Sequence, residues 1–127
     1  MKDYDGTPLK VLWSDRKRYF GLPISFTTYK LVEKPGFWVK LFVGTGILSK
    51  HEEETHVYKI DDISVHQTLG QRIFGCGTIR LWCQDASDSY MSLVSVKNPY
   101  RLRDLFSEII ETERSKKRFG FLEHSHG

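Results

Sequence analysis

The chain has little of what staples, bends or anchors a protein. Among its 127 residues there are two cysteines, Cys76 and Cys83, and four prolines. Two thiols cannot build the disulfide framework of a small secreted scaffold. Both fall on one predicted strand at an odd separation that turns their side chains to opposite faces, so free thiols are expected. No stretch approaches the ~18 uninterrupted apolar residues of a membrane-crossing helix. Residues Met1 to Pro8 contain no apolar run of the kind a secretory leader needs. A cytoplasmic protein without a transmembrane segment is the expectation.

An excess of one charge is also missing. Lysine and arginine number 19 against 16 acidic residues, a formal net charge of +3. Nucleic-acid binders concentrate far more basic charge on one face, so no nucleic-acid partner is expected. What is present is ordinary globular material: 39% hydrophobic, 13% aromatic and 28% charged residues. At this length one core is sufficient. Residues 1–9 and 119–127 lack any strand or helix period and are expected to be flexible, leaving 10–118 as the folded domain.

Within that span short β-type runs follow one another closely. Ile24–Val32 is dense in β-branched and aromatic residues and ends at Pro35-Gly36, a type II turn signal. Phe37–Val43 alternates, and Gly44-Thr45-Gly46 reverses it. A short strand near Ile47-Leu48, a charged bend at His51–Glu54 and a strand over Thr55–Ile60 are expected next. Ile63–Gln67, Thr78–Cys83 and Tyr90–Val94 alternate as well, the last after a turn-like Gln84–Asp88. About seven short strands with short connections indicate an antiparallel sandwich or barrel rather than βαβ units.

One helix is legible. Pro99 suits its first position, Asn98 can cap it, and Leu102, Leu105, Phe106, Ile109 and Ile110 form one apolar stripe. Basic residues Arg114 to Arg118 mark its end by opposing the free carbonyls. A bent meander leaves an open end with apolar side chains, and a helix of about five turns is long enough to cover it.

The order of strands then helix, the strand Ile60-Asp61-Asp62-Ile63-Ser64-Val65, the connection Gln67-Thr68-Leu69-Gly70-Gln71-Arg72-Ile73-Phe74-Gly75-Cys76-Gly77-Thr78-Ile79 and the helix opening Asn98-Pro99 together resemble the bacterial pleckstrin-homology-like family over about residues 11–118. The resemblance implies a mostly β fold with one C-terminal α-helix, a strongly bent antiparallel PH-like barrel or sandwich capped by that helix. Lys59 stands where the family usually has arginine, and the hairpin around Pro35–Trp38 looks longer than usual. Relatives often carry membrane spans or repeated copies, whereas this chain has one copy and no span.

Function is thinly written. The glycines 70, 75 and 77 indicate positive φ or close backbone approach, with Gln71 and Arg72 tying the connection down; alternatively Arg72 presents its guanidinium to an anion. His51-Glu52-Glu53-Glu54-Thr55-His56 superficially suggests a zinc site, but its histidines are wrongly spaced and lie in a hairpin. His124 and His126 lack further ligands nearby. No metal, cofactor or catalytic residue is therefore assigned, and no nucleophile elbow or phosphate-cradling loop is present. The expectation is a non-catalytic binding module, not an enzyme.

The expected partner is a protein or a second copy of the chain, with an anionic membrane surface as the alternative. A protein partner, or self-association, would use a sheet edge or exposed aromatics, for which Trp13, Trp38, Phe42 and Trp82 are the candidates. An anionic membrane surface would use Arg16, Lys17 and Arg18, with Arg72 as a further ligand contact. The basic triplet is similar to the basic pattern with which eukaryotic pleckstrin-homology domains hold inositol phosphates.

Overall fold

The computed structural model describes residues 2–46, 51–84 and 90–126. Strands β1 (Lys10–Arg16), β2 (Thr28–Lys34), β3 (Trp38–Thr45) and β4 (His51–His56) form an antiparallel sheet in that order. A single 3-10 turn at Val57–Lys59 leads into a second antiparallel sheet of β5 (Ile60–His66), β6 (Cys76–Cys83) and β7 (Tyr90–Lys97). A short helix α1 (Leu69–Ile73) lies between β5 and β6, and α2 (Pro99–His126) follows β7. The two ladders do not close into one barrel. They meet where Arg18 N–H donates to Ser95 O and Lys97 N–H donates to Asp15 Oδ2.

The alternating residues face a shared core. Tyr29, Leu31, Val39 and Leu41 from one sheet meet Ile79, Leu81, Leu93 and Val96 from the other. The apolar stripe of α2 closes it: Leu102, Phe106 and Ile110 are buried and Leu105 and Ile109 partly so. Phe106 is wholly inaccessible and meets Trp13 edge to face at 6.3 Å. Burying a side chain of this size contributes about 1.5–3 kcal/mol. Arg114 fixes the other end of the helix contact by donating to Tyr58 O at 3.1 Å and Ile60 O at 2.7 Å.

Several boundaries differ from the sequence expectation. β1 is an additional strand: only Val11, Leu12 and Trp13 break its polarity, and a register shift between Val11 and Trp13 spoils its alternation. β2 begins at Thr28, not Ile24, because Ser25 turns the chain by donating its hydroxyl to Lys17 O. The charged bend at His51–Glu54 is instead part of β4, an edge strand that tolerates charge because one side faces water. Lys40 and Glu54 pair across it at 3.0 Å. The expected strand at Ile47-Leu48 and most of the Gln84–Asp88 turn lie outside the described residues.

The regular backbone of α2 continues to His126, past the expected end at residue 118, with no proline after Pro99 to break it. Asn98 enters the helix with φ +50° through its backbone, its N–H donating to Gly75 O and its carbonyl accepting from Leu102 N–H. Residues 2–8, read from sequence as a loose end, fold back on themselves and attach to Lys34 through Asp3 and Asp5. Neither cysteine is in a disulfide; Cys76 is buried and Cys83 half-buried.

Candidate functional site

After β1 the chain makes a second, smaller hairpin. Tyr19 and Leu22 exchange both backbone hydrogen bonds, at 3.0 and 2.9 Å. Phe20 and Gly21 between them have φ of +52° and +80°. Positive φ at both central residues is the pattern of a type I′ turn, which asparagine or glycine occupies without difficulty and a bulky side chain occupies at a cost. Yet the phenylalanine held there is 80% exposed. Leu22, Ile24 and Phe26 on the same loop are exposed too.

The connection between β5 and β6 comes up beside it. Thr68 and Gln71 form a reciprocal capping box that starts α1. Gln71 Nε2 donates to Thr78 Oγ1 and Gln67 Nε2 donates to Cys76 O, which anchors α1 against β6. Gly75 takes a positive φ of +69°, and Gly77 is a close approach: a Cβ there would lie 2.7 Å from Pro99 Cγ. So held, α1 presents Leu69 and Ile73 to solvent at 77% and 75% exposure, with Phe74 beside them. The Phe20 and Phe74 rings touch edge to face at 6.1 Å, making one apolar surface from two loops.

The charge around this surface is mainly positive, with Glu52 of β4 lining one groove together with Arg16 and Phe26. Residues 16–32 and 63–84 contain no aspartate or glutamate. Asp15, at the margin, is buried against Arg18, which donates to it through Nε at 3.1 Å and to Gly21 O through Nη1 at 2.8 Å. Arg18 thus braces the hairpin, and its guanidinium is taken up by the fold. Arg16 is exposed and donates to Ser25 O, and Lys17 lies 5.3 Å from the Tyr19 ring centroid. Arg72 is exposed on α1, and its side chain has no hydrogen-bond or ion-pair partner among the described residues. Tying the connection down falls to Gln67 and Gln71.

The four candidate aromatics are placed differently. Trp13 packs on Phe106, Trp38 leans on Phe42 at 6.3 Å, and Trp82 on Tyr90 at 4.7 Å. All four are half-buried. The exposed apolar residues are those that the sequence reading placed in a strand or passed over. Their signal was a run of large apolar residues broken by Gly21 and Pro23, and another set in a connection rich in glycine and glutamine.

The surface suits burial of apolar side chains beside fixed cations. Burial pushes the Cys76 thiol above its usual range, away from nucleophilic chemistry. His51–His56 is a strand, so its histidines do not share a helix face. Among the described residues no group of three His, Cys, Asp or Glu side chains is placed to hold a metal, and no helix is long and apolar enough to cross a membrane. A family model described as Bacterial PH domain matches residues 26–110. No curated protein and no solved structure matches the chain.

Proposed function

The chain belongs to the bacterial PH domain family, and we propose that this member is a non-catalytic docking module that seats its loop end on an anionic membrane surface. The observation that carries the reading is the joining of Phe20 and Phe74 into one exposed apolar surface, with Arg16 and Lys17 on the chain that leads into the Phe20 hairpin and Arg72 on α1. Each cation near an anionic leaflet contributes about 1 kcal/mol. Inserting a phenylalanine or isoleucine side chain contributes about 1.5–3 kcal/mol at full burial. The cost of orienting the protein offsets part of this. Insertion and cationic attraction act on the same side of the molecule, where Glu52, in a groove with Arg16 and Phe26, is a carboxylate that they must outweigh.

A protein partner or self-association through Trp13, Trp38, Phe42 and Trp82 has less support, because those rings are engaged within the chain. Two cysteines outside any disulfide suit a cytoplasmic, reducing setting. The test is co-sedimentation with vesicles of phosphatidylcholine alone or mixed equally with phosphatidylglycerol, at low and physiological salt. The reading expects salt-sensitive binding to the mixed vesicles only, lost on Arg16→Glu, Lys17→Glu, Arg72→Glu and weakened by Ile73→Ser. Absence of binding at low salt overturns it and leaves the same surface to an acidic protein partner.

A further inference from the structure

At the other end of β2 from this loop surface lies Lys34, a buried lysine that is 6% exposed. Its ammonium needs partners, and none comes from the sheet. They come from the leading segment: Asp3 Oδ2 at 2.8 Å and Asp5 Oδ2 at 2.9 Å. That segment closes on itself, with Asp3 N–H donating to Thr7 O, Gly6 N–H donating to Asp3 O, and a bridge from Lys2 to Pro8. Among the described residues no backbone hydrogen bond joins residues 2–8 to the sheets. It is held by charged side chains on a buried cation; the Phe37 ring lies 4.8 Å from Lys34 Nζ, and the Tyr4 ring, 5.6 Å away, is 96% exposed.

Lys34 is also one wall of a cleft of about 320 Å³ that runs on between the β2–β3 turn and α2, past Phe37, Trp38, His56, Tyr58 and Lys117. Lys117 Nζ lies 4.0 Å from the Tyr58 ring centroid. Two carboxylates border the cleft, Glu33 and Glu113, and the second is paired with Lys116 at 3.1 Å. Burial first, and then Lys40, Lys59 and Lys117 against the opposing charge of Glu54, hold the His56 imidazole below its usual pKa.

We propose that this cleft recognises an acidic peptide segment, and that Asp3 and Asp5, both paired with Lys34 at its rim, act as a tethered competitor. Carboxylates of the incoming segment take Lys34 in place of Asp3 and Asp5, and Lys117 farther along the cleft favours further acidic residues. Because the cleft and the loop surface lie at opposite ends of β2, the inference is independent of the membrane reading. A short tether gives the resident segment an effective concentration in the millimolar range, so an outside segment binds weakly until the resident one lets go.

The test uses a fluorescently labelled peptide with the sequence of residues 2–8, titrated by anisotropy into the native chain and into an Asp3→Asn, Asp5→Asn variant. The released variant should bind at least ten-fold tighter than the native chain, with affinity falling as salt rises. Adding Lys34→Met to that variant should abolish binding, and the same peptide with its aspartates replaced by asparagine should not bind. If Lys34→Met does not fold by circular dichroism, Lys117→Glu in the released background serves instead and should weaken binding at least five-fold. A folded released variant that binds no tighter than the native chain overturns the proposal. So does binding that survives loss of the lysine or of the peptide's charges.

Discussion

Replacing Phe20 by asparagine should leave the protein as stable as before or slightly more so, while impairing docking. Phe20 is a non-glycine residue at φ +52° in a two-residue hairpin. The left-handed conformation costs an ordinary residue about 1–2 kcal/mol, and asparagine bears most of it without strain. Against that gain stands the ring's own contact. With the residue 80% exposed, only about one-fifth of it is covered, chiefly by Phe74. For a ring of ~200 Å² that is ~40 Å², or about 1 kcal/mol at ~25 cal/mol per Å². The two terms nearly cancel, and the net change should lie between zero and about 1 kcal/mol of added stability. A buried phenylalanine cut back to a small side chain loses about 3–5 kcal/mol instead. Urea denaturation followed by tryptophan fluorescence reads the difference. On anionic vesicles the same variant forgoes insertion of ~160 Å² of apolar surface; half-insertion alone is worth about 2 kcal/mol, or roughly 30-fold in affinity. A loss of more than about 2 kcal/mol of stability would refute the claim that Phe20 is held at the tip against its own conformational preference.

Four further outcomes follow from the packing and charge. Phe106→Ala should cost about 3–5 kcal/mol in urea denaturation, because the ring is fully buried between α2 and both sheets. Gly77→Ala should cost about 1–3 kcal/mol, since its Cβ would press on Pro99 and Gln67 at 2.7 and 2.8 Å; an unchanged melting temperature would contradict this. Arg114→Ala should cost about 1–2 kcal/mol by leaving the Tyr58 and Ile60 carbonyls without their donor, and hydrogen exchange at the start of β5 should quicken. His56 is held below its usual pKa by burial and by Lys40, Lys59 and Lys117. Its neutral form therefore adds stability above about pH 6.5 that is lost as the pH falls, since the unfolded chain takes up the proton first. Denaturation midpoints at pH 7.5 and 5.5 should lie closer together in His56→Gln than in the native chain; an equal gap would exclude this source.

Much of the fold was legible because it rests on periodicity. Val39 and Leu41 of the Phe37–Val43 alternation, Ile79 and Leu81 of Thr78–Cys83, and Leu102, Phe106 and Ile110 of the helical stripe lie in the core, whereas Phe37 is exposed in the turn before β3. β1 was not legible, because a register shift interrupts its alternation and its side chains are mixed in polarity. β4 read as a bend because an edge strand can carry Glu52, Glu53 and Glu54 without burying them. The candidate site was only half legible. Arg16, Lys17 and Arg72 carry their charge in the sequence, but that Arg18 would be spent on Asp15 depends on a contact that no spacing rule reveals. The exposed apolar residues were harder still: Ile24 and Phe26 have strand propensity, and only the hydroxyl of Ser25 turning inward takes them out of β2. That Phe20 meets Phe74 is a property of the topology, which brings residues far apart in sequence to one end of the sandwich.

The most direct test of the docking surface is solution NMR of the isotopically labelled chain on nanodiscs of phosphatidylcholine and phosphatidylglycerol carrying a paramagnetic headgroup lipid. The account predicts line broadening confined to residues 16–26 and 69–75, with the outward face of α2 from Tyr100 to Glu111 unaffected. Broadening centred on α2 or on β4, or none at low salt, would contradict it.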